Sequence, residues 1–335
     1  MRIAFFALLP RRVAPALLLA VLATACSNDD ATDSSPAAPT RVTFTQAGLY
    51  PEGVEYDGTG QRFLVSSQTR GAVGQVKDDG TYTVFADDPA LVSTIGLRID
   101  ENRRQLLVAV SDPGYNASRT SLPTQRKTAG LAIFNLNSGQ RVAYLDLGAL
   151  RPGQNHFAND IAVDAQNNIY VTDSFSPVIY KVDTQGRTSV FLEDAQLGAP
   201  AGAFGLNGIA YHPEGYLLVA KSNEGALFKV PVNNPTAFTK VATSQSLVGA
   251  DGLLLQDNTT LQVVTNAQAK VYRLTSTDAW GSATVSGTFT TPPQYPTTLA
   301  RRAGADSYVL YSNLNALQAN QSPPVSQFSI TRVTF

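Results

Sequence analysis

One short phrase recurs six times along this 335-residue chain, and it constrains the fold more than any other feature. It reads Pro51-Glu52-Gly53-Val54, Thr94-Ile95-Gly96-Leu97, Ala158-Asn159-Asp160-Ile161, Leu206-Asn207-Gly208-Ile209, Ala250-Asp251-Gly252-Leu253 and Pro296-Thr297-Thr298-Leu299. The second positions are separated by 43, 64, 48, 44 and 46 residues, a near-constant period with one long step. Within the third unit, Ile161–Val163, Ile169–Thr172, Val178–Val182 and Thr188–Phe191 read as four short strands divided by turn residues. The fourth unit repeats the pattern with Ile209–Tyr211, Tyr216–Val219 and Ala226–Val230. Four strands per roughly 45 residues is the period of a propeller blade.

The predicted fold is therefore all-β: a six-bladed β-propeller of four-stranded antiparallel blades over residues 42–335. The last unit supplies only three strands, Thr298–Ala300, Tyr308–Tyr311 and Gln327–Phe335. The spare run RVTFTQ at Arg41–Gln46 is expected to complete that blade and close the ring, which removes open sheet edges. The 64-residue step holds an insertion at Asp112–Thr128, between the second and third strands of the second blade. That loop lies at the end of the ring where the first strands begin. It is expected either to be a plain surface loop or to form a lid carrying Arg119, Arg126 and Lys127.

Residues 1–25 read as an export signal: basic residues, then the apolar run Val13–Leu22, then small residues before Cys26. The run is shorter than the roughly 20 residues of a membrane-spanning helix. The segment resembles a bacterial lipobox, with Leu22 one position further upstream than is ideal. Cys26, the single cysteine, is the expected lipidation site, and residues 26–41 the tether, being small, polar and proline-containing. Ser27 after the cysteine resembles an outer-membrane destination, so a lipid-anchored protein of the cell envelope facing the periplasm is expected, with the membrane as partner. The 25 basic and 26 acidic residues give a formal charge of −1, without the cationic field of a nucleic-acid binder. One cysteine excludes an internal disulfide and multi-cysteine metal sites, and two histidines exclude a three-histidine centre. A monomer acting on a small molecule is the expected state.

The second phrase positions line one end of the central channel. They hold Glu52, Ile95, Asn159, Asn207, Asp251 and Thr297, of which Glu52, Asn159, Asn207 and Asp251 carry carboxylate or amide oxygens. Such dipeptides are common in turns, but these four share one repeat phase on one face. Two carboxylates and two amides suit a hard divalent cation, Ca²⁺ above all, with Zn²⁺, Mg²⁺ and Mn²⁺ also compatible. Candidates to take a proton beside it are Asp251, Asp173 and His156, three residues before Asn159. Asp160 is expected to support the loop beside Asn159. His212 lies at the opposite end, and no G-x-S-x-G elbow is present.

The phrases YPEGVEYD, FANDIAVDAQNNIYVTDS, LNGIAYHPEGYLLVAKS and ADGLLLQDNTTLQVVTN resemble the gluconolactonase and regucalcin (senescence marker protein) family of calcium-dependent phosphotriesterase-like propellers, over residues 42–335. The resemblance implies a six-bladed propeller, metal ligands at Glu52, Asn207 and Asp251, a metal or substrate contact at Asn159, and a general base at Asp251. The arginines that grip sugar lactones in that family have no clear counterpart. Two functions are expected to compete: a metal-dependent hydrolase of lactones or related esters, and a non-enzymatic propeller that binds a ligand or protein at the envelope.

Overall fold

The structure, a computed structural model, describes residues 37–302 and 306–335. The export signal, Cys26 and most of the tether lie outside the described residues. Among the described residues no helix is long and apolar enough to cross a membrane.

Six sheets follow one another along the chain, each built on an antiparallel meander, with strands added out of sequence order in the fifth and sixth. Blade one comprises Val54–Asp57, Arg62–Val65, Ala72–Val76 and Tyr82–Asp87; blade two Ser93–Asp100, Gln105–Ser111, Ala129–Asn135 and Arg141–Asp146. Blade three runs over Ala158–Val163, Ile169–Asp173, Val178–Val182 and Thr188–Glu193. Blade four ends in a two-residue strand, Thr239–Lys240, and the neighbouring Ala242–Thr243 pairs parallel with the outer strand of blade five. Blade six is Pro296–Arg301, Ser307–Tyr311, Gln327–Arg332 and, from the other end of the chain, Arg41–Thr45. Arg41 opposes Thr331 and Thr45 opposes Gln327, so the expected closing strand is present. Pro39 and Thr40 also belong to the fold, accepting hydrogen bonds from the Tyr308 hydroxyl and the Arg332 amide.

The alternating pleat explains the packing. Side chains point to opposite faces of a strand, and each blade has a neighbour on both sides. The second strands are therefore apolar on both faces. In Arg62–Val65, Phe63 and Val65 pack toward blade six while Leu64 packs toward blade two. In Tyr216–Lys221, Leu217 and Val219 face blade three and Leu218 and Ala220 face blade five. The result is six hydrophobic clusters, one between each pair of neighbouring blades.

Each repeated phrase opens an inner strand, and in blades two to six it forms a β-bulge rather than a turn ahead of the strand. Two residues there oppose one on the second strand, which re-aims a side chain. The third phrase position then lies against the next blade. A Cβ on Gly53 would sit 2.4 Å from the Ile95 carbonyl oxygen, on Gly96 2.2 Å from that of Asn159, and on Gly208 2.2 Å from that of Asp251. Where glycine is absent, a hydrogen bond spans the same junction. Asp160 accepts from the Ile209 amide at 3.2 Å. Thr298 Oγ1 donates to the Glu52 carbonyl at 2.8 Å and accepts from the Val54 amide at 3.1 Å, across the seam where the ring closes.

Candidate functional site

The bulges deliver the second phrase positions to one end of the axis. Glu52, Asn159, Asn207 and Asp251 line the floor of one cavity of about 480 Å³. All four are buried. Their oxygens are held without being satisfied. The Asn159 amide nitrogen donates to Ser174 Oγ at 2.9 Å, which fixes the amide and leaves Oδ1 without a partner. Asn266 donates to Asp251 Oδ2 at 3.1 Å, leaving Oδ1 free. Glu52 Oε2 and Thr297 Oγ1, at the first and sixth phrase positions, are likewise buried and unpartnered. Buried polar atoms are nearly always paired in folded proteins. Four orphaned oxygens at one repeat phase form a donor set that fits a hard, oxygen-seeking cation. Among the described residues no three His, Cys, Asp or Glu side chains come together, so such a cation depends on the amides as well as the carboxylates.

The electrostatics agree with that fit. Burial raises Glu52 well above the usual carboxylate range, and the charges of Asp251 and Asp160 raise it further. Burial also raises Asp251, with Asp160 adding to it against the hydrogen bonds of Asn266 and Asn207. Asp160 faces a second, much smaller void of about 20 Å³ further along the axis, shared with Glu55 and Arg98. There burial pushes it up to about 6, opposed by the Ile161 and Ile209 amides. Asp160 therefore braces the inner strands and loads the axis with charge, while Ser174 fixes the Asn159 side chain.

His156 is placed differently from the sequence expectation. It does not line the cavity. Its ring is buried, with Nδ1 2.7 Å from Asp173 Oδ2 and Nε2 3.0 Å from the Arg151 carbonyl, and the Tyr180 hydroxyl adjoins both Nδ1 and Asp173. Burial alone would depress its pKa, but the hydrogen bond and charge of Asp173 hold it above the ordinary value. Both ring nitrogens are occupied within the fold, so this imidazole has none left for a substrate. Asp173 is also committed: its other oxygen accepts from the amides of Phe157, Phe175 and Ser176.

The inserted loop does reach the cavity, through Pro113, Tyr115 and Arg126. Buried Asp112 organises it, accepting from Gly114, Thr120 and Thr124. Of the three expected lid cations only Arg126 lines the cavity. Arg119 is turned outward and satisfied by the carbonyls of Gly71, Asp88 and Leu91 and the carboxylate of Asp87. Lys127 bonds Asn155 and the carbonyls of Gly153 and Gln154. The sequence reading missed the aromatic wall, Phe157, Phe175, Phe204 and Tyr295: Phe157 and Tyr295 each stand two positions before a second phrase residue, but Phe204 stands three before one and Phe175 lies on a different loop.

No protein-family model and no curated protein sequence matches this chain. Solved structures share its fold. The Malassezia sympodialis allergen Mala s 1 aligns with a TM-score of 0.70 at 19% identity, over 89% of this chain and 97% of the other. A luciferin-regenerating enzyme aligns at 0.61 and 12% identity, over 88% and 95%. A gluconolactonase from Xanthomonas campestris aligns at 0.60 and 15% identity, over 87% and 89%. The six-bladed propeller implied by the resemblance to gluconolactonases is thus the fold observed, at identities that speak to fold alone.

Proposed function

We propose that the protein is a divalent-cation-dependent hydrolase of lactones or related esters, with Ca²⁺ the preferred ion. The observation that carries this reading is the set of buried, unpartnered oxygens on Glu52, Asn159 and Asp251 at the floor of a cavity. Glu52, Asn159, Asn207 and Asp251 would hold the ion. When bound, such an ion polarises a carbonyl or phosphoryl oxygen and lowers the pKa of water.

The chain's own side chains supply the rest. Asp251 is the group to take a proton, since its Oδ1 has no partner and borders the cavity. Ser174 orients Asn159, and Asn266 orients Asp251, so the donors are set before substrate arrives. The phenylalanines of the wall exclude water from one side. The test is turnover of a panel of lactones and aryl esters with Ca²⁺ and with chelator. Chelator-sensitive turnover that disappears in Glu52→Gln and Asp251→Asn supports the reading, and an active chelated enzyme refutes it. A second reading, a binding propeller without turnover, is favoured by the apolar Ile95 at the second phrase position, which interrupts the polar ring. A bound ion without turnover across the panel would select it.

The same proposal places the protein on the envelope through a lipid on Cys26, facing the periplasm. It rests on the signal-like N-terminus and is tested by fractionation: Cys26→Ala should leave the membrane fraction.

A further inference from the structure

The wall of the cavity carries information on substrate that the floor does not. Phe157, Phe175 and Phe204 touch one another, with ring centroids 5.3, 5.2 and 5.1 Å apart. The arrangement is tilted and edge-to-face, as aromatic clusters prefer. Phe204 is 37% exposed, a large apolar ring left partly bare at the cavity. The Arg126 guanidinium carbon lies 4.4 Å from the Phe175 centroid. Among the described residues this guanidinium has no carboxylate or carbonyl partner, whereas Arg119 and Lys127 on the same loop have several.

Arg126 is also held at a cost. Its φ is +58°, the left-handed region that a long side chain rarely adopts. The backbone is clamped there by its amide to the Asp112 carbonyl and its carbonyl to the His156 amide, both at 2.8 Å. Asp173 ties the same knot from below, holding the amides of Phe157 and Phe175 and the ring of His156. Backbone strain of this kind persists where the surroundings over-determine it, and it gathers at functional sites. One buried polar knot thus fixes two aromatic rings and one unpaired cation against the same cavity.

We propose that this wall selects the substrate: an ester or lactone with a flat, apolar acyl group and a single negative charge, the ring lying on the phenylalanines and the charge on Arg126. The inference rests on the hydrolase reading for the word ester, but its binding chemistry stands apart from the ion. A sugar lactone is the wrong complement, because its hydroxyls would lie against rings that return no hydrogen bonds.

The test uses binding rather than turnover. 4-Phenylbutyrate, its uncharged amide 4-phenylbutanamide, and D-gluconate are titrated calorimetrically into the folded protein in chelator and again with Ca²⁺. The acid should bind tighter than the amide by roughly ten-fold to a hundred-fold, the scale of one charge-assisted contact, and tighter than gluconate. Arg126→Asn, whose residue tolerates a left-handed backbone, should bring the acid down to the amide and leave the amide unchanged. Arg126→Lys should keep part of the preference, and Phe204→Ala should weaken acid and amide alike. Equal binding of acid and amide, a preference that survives Arg126→Asn, or tighter gluconate overturns the inference. Ca²⁺ titrated alone separates the two readings. If Ca²⁺ binds without acid preference, the substrate class falls and the ion site stands. If the acid preference is seen in chelator and Ca²⁺ does not bind, the wall is upheld and the ion site falls.

Discussion

Neutralising Asp251 should strengthen the ion-free protein. Asp251→Asn removes a buried carboxylate whose Oδ2 accepts from Asn266 and whose Oδ1 is empty. The carboxyls on the axis are raised in the folded state, so the unfolded chain gives up their protons first as pH rises. Their contribution is fully present below the unfolded pKa and is lost by the time pH passes the folded one. Asp160 sets the scale: moving from 3.8 to about 6 loses roughly 3 kcal/mol between those pH values. Asp251 and Glu52 are raised for the same reason, burial first, and add with the same sign. Wild type in chelator should therefore melt lower at pH 8 than at pH 5. Asp251→Asn should recover on the order of 3 kcal/mol at pH 8, or roughly 5 °C for a domain of this size, and clearly less at pH 5. Saturating Ca²⁺ should close that gap at pH 8, raising wild type by about 3 kcal/mol at a hundred times its dissociation constant and leaving the variant unmoved. Thermal unfolding followed by circular dichroism reads all four conditions. Wild type more stable at pH 8 than at pH 5 in chelator, or a variant that loses stability at pH 8, would refute the reasoning.

Thr298→Val should cost roughly 2–3 kcal/mol in urea unfolding, because it strips the Glu52 carbonyl and the Val54 amide of a buried partner; Ca²⁺ affinity should fall with it, since Glu52 hangs from that carbonyl. Gly208→Ala places a Cβ 2.2 Å from the Asp251 carbonyl oxygen, and should cost roughly 3 kcal/mol or more, seen as a loss of soluble folded protein. His156→Gln should lower ester turnover only a few-fold, through a loosened wall, while lowering stability, and the stability deficit should shrink as pH rises through the raised pKa of His156, where wild type loses its charged partner to Asp173. A turnover loss of a hundred-fold in that variant, with the fold intact, would return the imidazole to the reaction.

The ring of donors was legible because its residues obey the repeat. Glu52, Asn159, Asn207 and Asp251 occupy one phase, and a closed propeller brings one phase to one place. The closing strand was legible for a similar reason, as a strand without a partner and a blade lacking a strand. Residues outside the repeat were not. His156 stands three positions before Asn159, but the chain between them crosses from loop to bulge, and the ring turns toward Asp173 rather than the axis. Arg119, Arg126 and Lys127 looked equivalent on one loop. Only the left-handed backbone at Arg126 and the knot around Asp112 distinguish them, and both depend on contacts distant in sequence. The aromatic wall is assembled from separate blades, so no window of sequence contains it. The bulge itself was readable only as a turn, because Asn-Asp, Asn-Gly and Asp-Gly suit both.

The outermost strand of blade six has a consequence for the order of events during synthesis. Arg41–Thr45 is among the first parts of the propeller to be made, and its partner Gln327–Arg332 is among the last. Until Gln327–Arg332 emerges, the ring is a string of five finished blades with two raw ends. Closure therefore waits for Gln327–Arg332 to be made. A chain cut between Tyr311 and Gln327 leaves both Arg41–Thr45 and Ser307–Tyr311 with unpaired backbone, the template on which a second chain adds. Such fragments should be captured as aggregates instead of surviving as smaller propellers, so the seam acts as a check that the last blade has been made.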